Sequence, residues 1–164
     1  DNLMNWASKW QMEFNVKKCA VMRITNARKR IFIRDYYMGN EQLEWTDDAC
    51  YLGVTISKNL SWSPHIATLT SKAKRKLAFI RRNLYNSPQF IRERSYITIV
   101  RPQLEYSSCI WDPYRKQDIN RVECIQRSAA RYVLNKPHAR GAADHESVST
   151  MINQLGWPSL KHRR

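Results

Sequence analysis

Cys50-Tyr51-Leu52-Gly53-Val54-Thr55-Ile56 divides this chain. The run alternates in character and carries β-branched residues after Gly53, so it reads as a strand that Ser57-Lys58-Asn59 ends. A glycine within such a strand marks a bulge, a close approach by another backbone or ligand, or a packing position in a hairpin. Before this stretch the sequence alternates between helix and strand patterns. After it come basic helices alone, so the architecture changes here.

Working back toward the amino terminus, Leu3, Trp6, Trp10 and Phe14 recur at helical spacing. They predict an amphipathic helix over 2–14 whose aromatics form its core face. Cys19 to Ile24 reads as a strand, as do Ile31-Phe32-Ile33 and Tyr36-Tyr37-Met38. Gly39-Asn40 is a turn in front of Gln42-Leu43-Glu44-Trp45. Asp47-Asp48 leads into the central stretch.

Working forward, Ser63-Pro64 opens a helix, with Ser63 as N-cap and Pro64 in the first helical position. Ile66, Leu69, Ala73, Leu77, Ile80 and Leu84 form one apolar stripe. At about 100° per residue, Arg75 and Arg82 lie almost opposite it, and Lys72, Lys74, Lys76 and Arg81 flank it. No acid balances these bases, which points to phosphate contact. Ser87-Pro88 begins a second helix through Phe90, Ile97, Val100 and Leu104, kinked or ended by Pro102. Ile119, Val122, Ile125, Ala129 and Val133 predict a third, with Arg115, Lys116, Arg121, Arg127 and Arg131 on its other faces. Residues 135–146 read as a loop, Ser149 to Leu155 as a short helix stopped by Gly156, and Pro158 onward as the start of another.

The expected fold is therefore α+β, with helix and antiparallel strands over residues 1–60, a basic three-helix bundle over 61–134, and a loop with connecting helices over 135–164. A chain of 164 residues can form one core or two small ones, and 43% hydrophobic content is ordinary for a folded protein. Lys and Arg outnumber Asp and Glu by 28 to 14, a formal charge of +14 with a pI of about 10.0. That excess exceeds what folding requires and favours a polyanionic partner, nucleic acid first and an anionic membrane surface second. Six Trp and eight Tyr could stack on bases or anchor at an interface.

No run of about 18 apolar residues occurs and no signal-peptide pattern opens the chain. The expectation is an intracellular protein, cytoplasmic or nuclear and not secreted. Cys19, Cys50, Cys109 and Cys124 are scattered without zinc-site spacing, which predicts free thiols and no bound metal. The absence of a starting methionine, within a helical pattern, predicts a piece of something longer. No phosphate-cradling loop, H-E-x-x-H pair or G-x-S-x-G elbow appears. Asp47-Asp48 is the one adjacent Asp pair, and neighbours on a strand point to opposite faces, which does not suit a two-metal centre. His65, His138, His145 and His162 lack catalytic partners and read as surface residues.

Trp6-Ala7-Ser8-Lys9-Trp10-Gln11-Met12-Glu13-Phe14-Asn15-Val16-Lys17-Lys18-Cys19, followed by a strand, resembles the reverse transcriptases of non-LTR retrotransposons, particularly the jockey-like lineages. Tyr51-Leu52-Gly53-Val54 resembles that family's primer-grip hairpin. Lys72-Ala73 with Ile80-Arg81-Arg82-Asn83-Leu84 resembles the first thumb helix, Val100 to Tyr106 with Ile110-Trp111-x-Pro113-Tyr114 the second, and Ile125 to Arg131 the third. Leu155-Gly156-Trp157-Pro158-Ser159-Leu160 is similar to the family's connector.

The resemblance implies the end of a palm, a thumb and the beginning of a connector, without the fingers or the palm strands that carry the catalytic aspartates. The chain alone would then be inactive in DNA synthesis, with Mg2+ expected only in the full-length enzyme and no cofactor held here. Its partner would be an RNA/DNA hybrid or structured RNA, together with the missing fingers and catalytic palm of the parent polyprotein, and not a membrane. The resemblance also implies that Tyr51, Leu52 and Gly53 press on the primer end. It makes Lys18 a possible general acid toward the leaving pyrophosphate, while Lys72, Lys74, Arg75, Lys76, Arg81 and Arg82 would contact the nucleic-acid backbone. Alternatives are a domesticated or degenerate nucleic-acid-binding module, or a basic domain that binds proteins or membranes.

Overall fold

The computed structural model describes residues 2–26, 34–136 and 147–164. The chain divides into two compact units, Asp1–Ser61 and Trp62–Arg164. The predicted strand Ile31-Phe32-Ile33 and most of the predicted 135–146 loop lie outside the described residues.

In the first unit, helix α1 spans Asn2–Lys9 and is shorter than the 2–14 periodicity predicts. Gln11 takes a φ of +54°, and a left-handed residue cannot continue an α-helix. Ala7 is its buried residue, while Trp6 and Trp10 are 48% and 61% exposed. The expected aromatic core face is thus corrected: the small sheets of this unit offer no broad layer to cover it. A 3-10 turn at Val16–Lys18 leads into β1, Ala20–Val21.

The described residues of this unit form three two-stranded sheets. Strands β2 (Tyr37–Met38) and β3 (Glu41–Gln42) pair antiparallel across Gly39-Asn40, where Gly39 has a φ of +62°. Strand β1 pairs with β4 (Glu44–Trp45) in parallel, Ala20 opposite Glu44, against the expectation of antiparallel strands alone. A parallel pair needs a long crossover rather than a tight turn, and residues 22–43 lie between these two strands.

The dividing stretch is two strands and not one. Strand β5 (Asp48–Tyr51) turns through Leu52-Gly53 into β6 (Val54–Ser57), antiparallel, with Tyr51 opposite Val54 and Asp48 opposite Ser57. Leu52 has a φ of +47° and Gly53 of +82°, the two positive values of a type I′ hairpin loop. Gly53 therefore serves the turn rather than a bulge within a strand.

The second unit is helical. Helix α2 (Ser63–Asn83) buries Ile66, Leu69, Ala73, Leu77 and Ile80, the predicted stripe, with Leu84 half-buried just beyond. Ser63 is its first residue rather than its N-cap. Its hydroxyl donates instead to the buried Asp118 carboxylate at 2.5 Å, tying α2 to α6 (Lys116–Val133). The second predicted helix is broken into α3 (Gln89–Ser95), a π turn at Tyr96–Val100, and α4 (Arg101–Glu105). Pro102 has no N–H to give and its ring crowds the preceding turn, a conflict that a widened turn just before it relieves. Phe90 is 67% exposed, so the stripe runs instead through Tyr96, Val100 and Leu104, all fully buried. Short α5 (Ser108–Trp111) delivers Trp111 to the core, its indole Nε1 donating to the Tyr106 carbonyl at 2.7 Å.

Helix α6 buries Val122, Ile125, Ala129 and Val133 as predicted, and also Gln126 and Tyr132. The final segments, α7 (Val148–Gln154) and α8 (Leu160–Arg163), pack on α6, and α8 also on α4. Gly156 at a φ of +64° ends the approach from α7. Trp157 stacks on Tyr96 at 4.7 Å and donates to Glu93 at 3.0 Å, while Gln126 donates to the Pro158 carbonyl at 2.8 Å. Burial of each large apolar side chain here contributes about 1.5–3 kcal/mol. Mixed helix and small sheets make the fold α+β.

Candidate nucleic-acid interface

The buried stripe of α2 fixes where its cations go. Once Ile66, Ala73, Leu77 and Ile80 turn inward, 3.6 residues per turn leaves Lys72, Lys74, Arg75, Lys76, Arg81 and Arg82 exposed, and all six are. The sequence Ser63–Asn83 contains no Asp or Glu, and none of the six pairs with a carboxylate among the described residues. Six cations on about three helical turns repel one another, and an array of phosphates relieves that repulsion.

The other predicted residues lie in the first unit. Tyr51 and Leu52 are 68% and 73% exposed at the tip of the β5–β6 hairpin, with Gly53 completing the turn. Their apolar side chains face solvent on a backbone held by a tight loop. Lys18 closes the 3-10 turn, its backbone N–H donating to the Asn15 carbonyl at 2.9 Å, two residues before β1. Asp47 pairs with Lys58 at 2.5 Å, and Asp48 begins β5. Among the described residues no group of three His, Cys, Asp or Glu side chains converges as a metal centre would require. The described side chains therefore do not fit a pair of Mg2+ ions.

His65 departs from its expected surface position. It is 4% exposed in the first turn of α2, and its ring lies 5.3 Å from that of Trp111. Burial lowers its pKa from the ordinary 6.5, and the nearby Lys72 ammonium lowers it further. Arg92 does not stand out in the sequence, yet it is 9% exposed and lies within 5.9 Å of the Tyr132 ring. A signal for it exists: Arg92, Tyr96 and Val100 are four apart, placing an arginine on an apolar stripe. Helical phasing from the exposed Phe90 conceals it.

No protein-family model matches the chain, and no solved structure does. Among curated proteins it is similar to a class, the RNA-directed DNA polymerases of mobile elements. In particular, it is 24% identical over 151 residues to a probable RNA-directed DNA polymerase from transposon BS of Drosophila melanogaster, covering 90% of this chain and 17% of that protein. It is 27% identical over 145 residues to the RNA-directed DNA polymerase from mobile element jockey of Drosophila funebris, covering 84% and 15%. The Drosophila melanogaster jockey polymerase is 22% identical over 142 residues, again covering 84% and 15%. The chain thus spans about one-sixth of the length of these relatives. The resemblance to jockey-like non-LTR retrotransposon reverse transcriptases holds over most of the chain. No described helix is long and apolar enough to cross a membrane.

Proposed function

We propose that this chain is the part of a retrotransposon RNA-directed DNA polymerase that grips template and primer, and that the reaction's metal-binding carboxylates belong to other parts of the parent enzyme. The observation that carries this reading is the acid-free, exposed cationic face of α2. Lys72, Lys74, Arg75, Lys76, Arg81 and Arg82 follow the backbone of an RNA/DNA hybrid, a contact that holds any sequence and so permits the duplex to advance. The helices of the second unit act as the thumb. The β5–β6 hairpin acts as primer grip, with Tyr51 and Leu52 against the primer end and Gly53 keeping the loop tight. In the assembled enzyme Lys18 donates a proton to the departing pyrophosphate, a role that suits a cation beside developing negative charge. The four free cysteines, three of them exposed, fit a reducing, intracellular compartment.

The test is a double charge reversal, Arg75→Glu with Arg82→Glu, measured by fluorescence anisotropy with a labelled RNA/DNA hybrid across a salt series. Each cation that no longer neutralises a phosphate flattens the slope of log K against log salt by about 0.9, so the pair removes about 2 while helicity is unchanged. Wild-type affinity and slope in the variant would move the interface off this face.

A further inference from the structure

We propose that the second unit carries a separate phosphate site, a pocket of about 370 Å3 that takes the phosphomonoester of a nucleotide. The ends of α2, α3 and α6 supply its wall: Arg81 and Tyr85, Arg92, and Arg131, Tyr132 and Lys136. Among the described residues no acidic side chain lines it. The site does not rest on the template-primer reading, with which it shares Arg81 alone.

Arg92 carries the inference. Its residue is more than nine-tenths buried, and its Nε has no hydrogen-bond partner among the described residues. Among the described residues no carboxylate pairs with the guanidinium, and the Tyr132 ring lies 5.9 Å from it. A buried cation without an anion forfeits part of its hydration and gets little of it back from a ring face. A bound anion restores that loss, and a guanidinium offers it a planar fork of donors. Arg131 likewise has no carboxylate partner among the described residues.

Helix dipoles are the competing explanation for cations at this place, since Arg81 and Arg131 each sit in the last turn of a helix, whereas Arg92 lies near the start of a helical stretch that continues through the π turn into α4. Each helix end supplies roughly half a negative charge, so the ends of α2 and α6 together supply about −1 against the three arginines. A surplus of roughly +2 remains. A phosphodiester brings only about one negative charge, whereas a phosphomonoester brings about −1.5 to −2 and matches it better. The volume falls within the range of small-molecule pockets, leaving room for the sugar as well, and Tyr85, 70% exposed at the edge, offers its ring to a base.

Isothermal titration of the whole chain at low salt with thymidine 5′-monophosphate, thymidine and inorganic phosphate tests the site. The monophosphate and phosphate should bind and thymidine should not. Arg131→Gln, half-buried and therefore tolerated by the fold, should weaken monophosphate binding about tenfold or more, and Arg92→Gln should do so where circular dichroism shows that it folds. Lys116→Gln, about 22 Å away along α6 at 1.5 Å per residue, should leave it unchanged. A 5′-phosphorylated oligonucleotide that loses affinity in Arg131→Gln, with its 5′-hydroxyl counterpart unaffected, supports a nucleic-acid end as the ligand. Loss for the monophosphate alone supports a free nucleotide. Absent monophosphate binding, or unchanged binding in Arg131→Gln, overturns the site even if hybrid binding by the α2 face persists. Monophosphate binding without hybrid binding supports the site and overturns the template-primer reading instead.

Discussion

Replacing Leu52 by Asn should stabilise the hairpin on which the primer-grip reading depends. Leu52 holds a φ of +47°, a conformation that costs an ordinary L-residue about 1–2 kcal/mol and asparagine considerably less. It is 73% exposed, so removing the leucine gives up at most roughly 0.5 kcal/mol of apolar burial. The net gain is about 0.5–1 kcal/mol, which slows hydrogen exchange of the β5–β6 amides about twofold to fivefold. Gly53→Ala works the other way. A Cβ at a φ of +82° costs about 1–2 kcal/mol and accelerates the same amides about fivefold to thirtyfold. Exchange measured by mass spectrometry or NMR on strands Asp48–Tyr51 and Val54–Ser57 reads both effects. Unchanged protection in both variants would refute the positive-φ loop and the positioning of Tyr51 and Leu52 that follows from it.

Tyr51→Ala should weaken hybrid binding about fivefold or more, because a base stacked on an aromatic ring contributes about 1–3 kcal/mol; equal anisotropy curves would remove Tyr51 from the grip. His65 gives the second unit a pH dependence. Its folded pKa is lowered below the unfolded 6.5, so the unfolded chain binds the proton more readily. Its share of stability is intact above about pH 6.5 and falls as pH drops below that value toward the folded pKa. Urea midpoints at pH 7.5 and 5.5 should therefore differ more for the wild type than for His65→Gln, and equal differences would contradict the burial. The paired reversal of Arg75 and Arg82 adds the predicted reduction of about 2 in the salt slope.

Periodic features are legible in the sequence, and singular ones are not. The α2 stripe is buried as expected because five apolar residues at helical spacing leave one inward face, and the exposed cations follow from it. Helix α6 is legible for the same reason. The dividing stretch misleads because Leu52 is not a turn residue: asparagine-glycine would announce the hairpin, whereas leucine-glycine looks like strand. The parallel pairing of Ala20–Val21 with Glu44–Trp45 joins residues far apart, and no local pattern encodes it. Trp6 and Trp10 have the spacing of a core face, yet periodicity does not say whether a layer exists to cover it. The exposed cationic face of α2 is readable from charge and period together. Arg92 requires knowing which turn faces the core, and the π turn before Pro102 shifts the phase of the stripe.

The most direct test of the central claim is the affinity of the wild-type chain for a labelled RNA/DNA hybrid across a salt series, with single-stranded RNA and anionic lipid vesicles as competitors. A working grip predicts tight binding that weakens steeply with salt, prefers the duplex to the single strand and is not displaced by vesicles. Weak binding, or equal displacement by any polyanion, would contradict it.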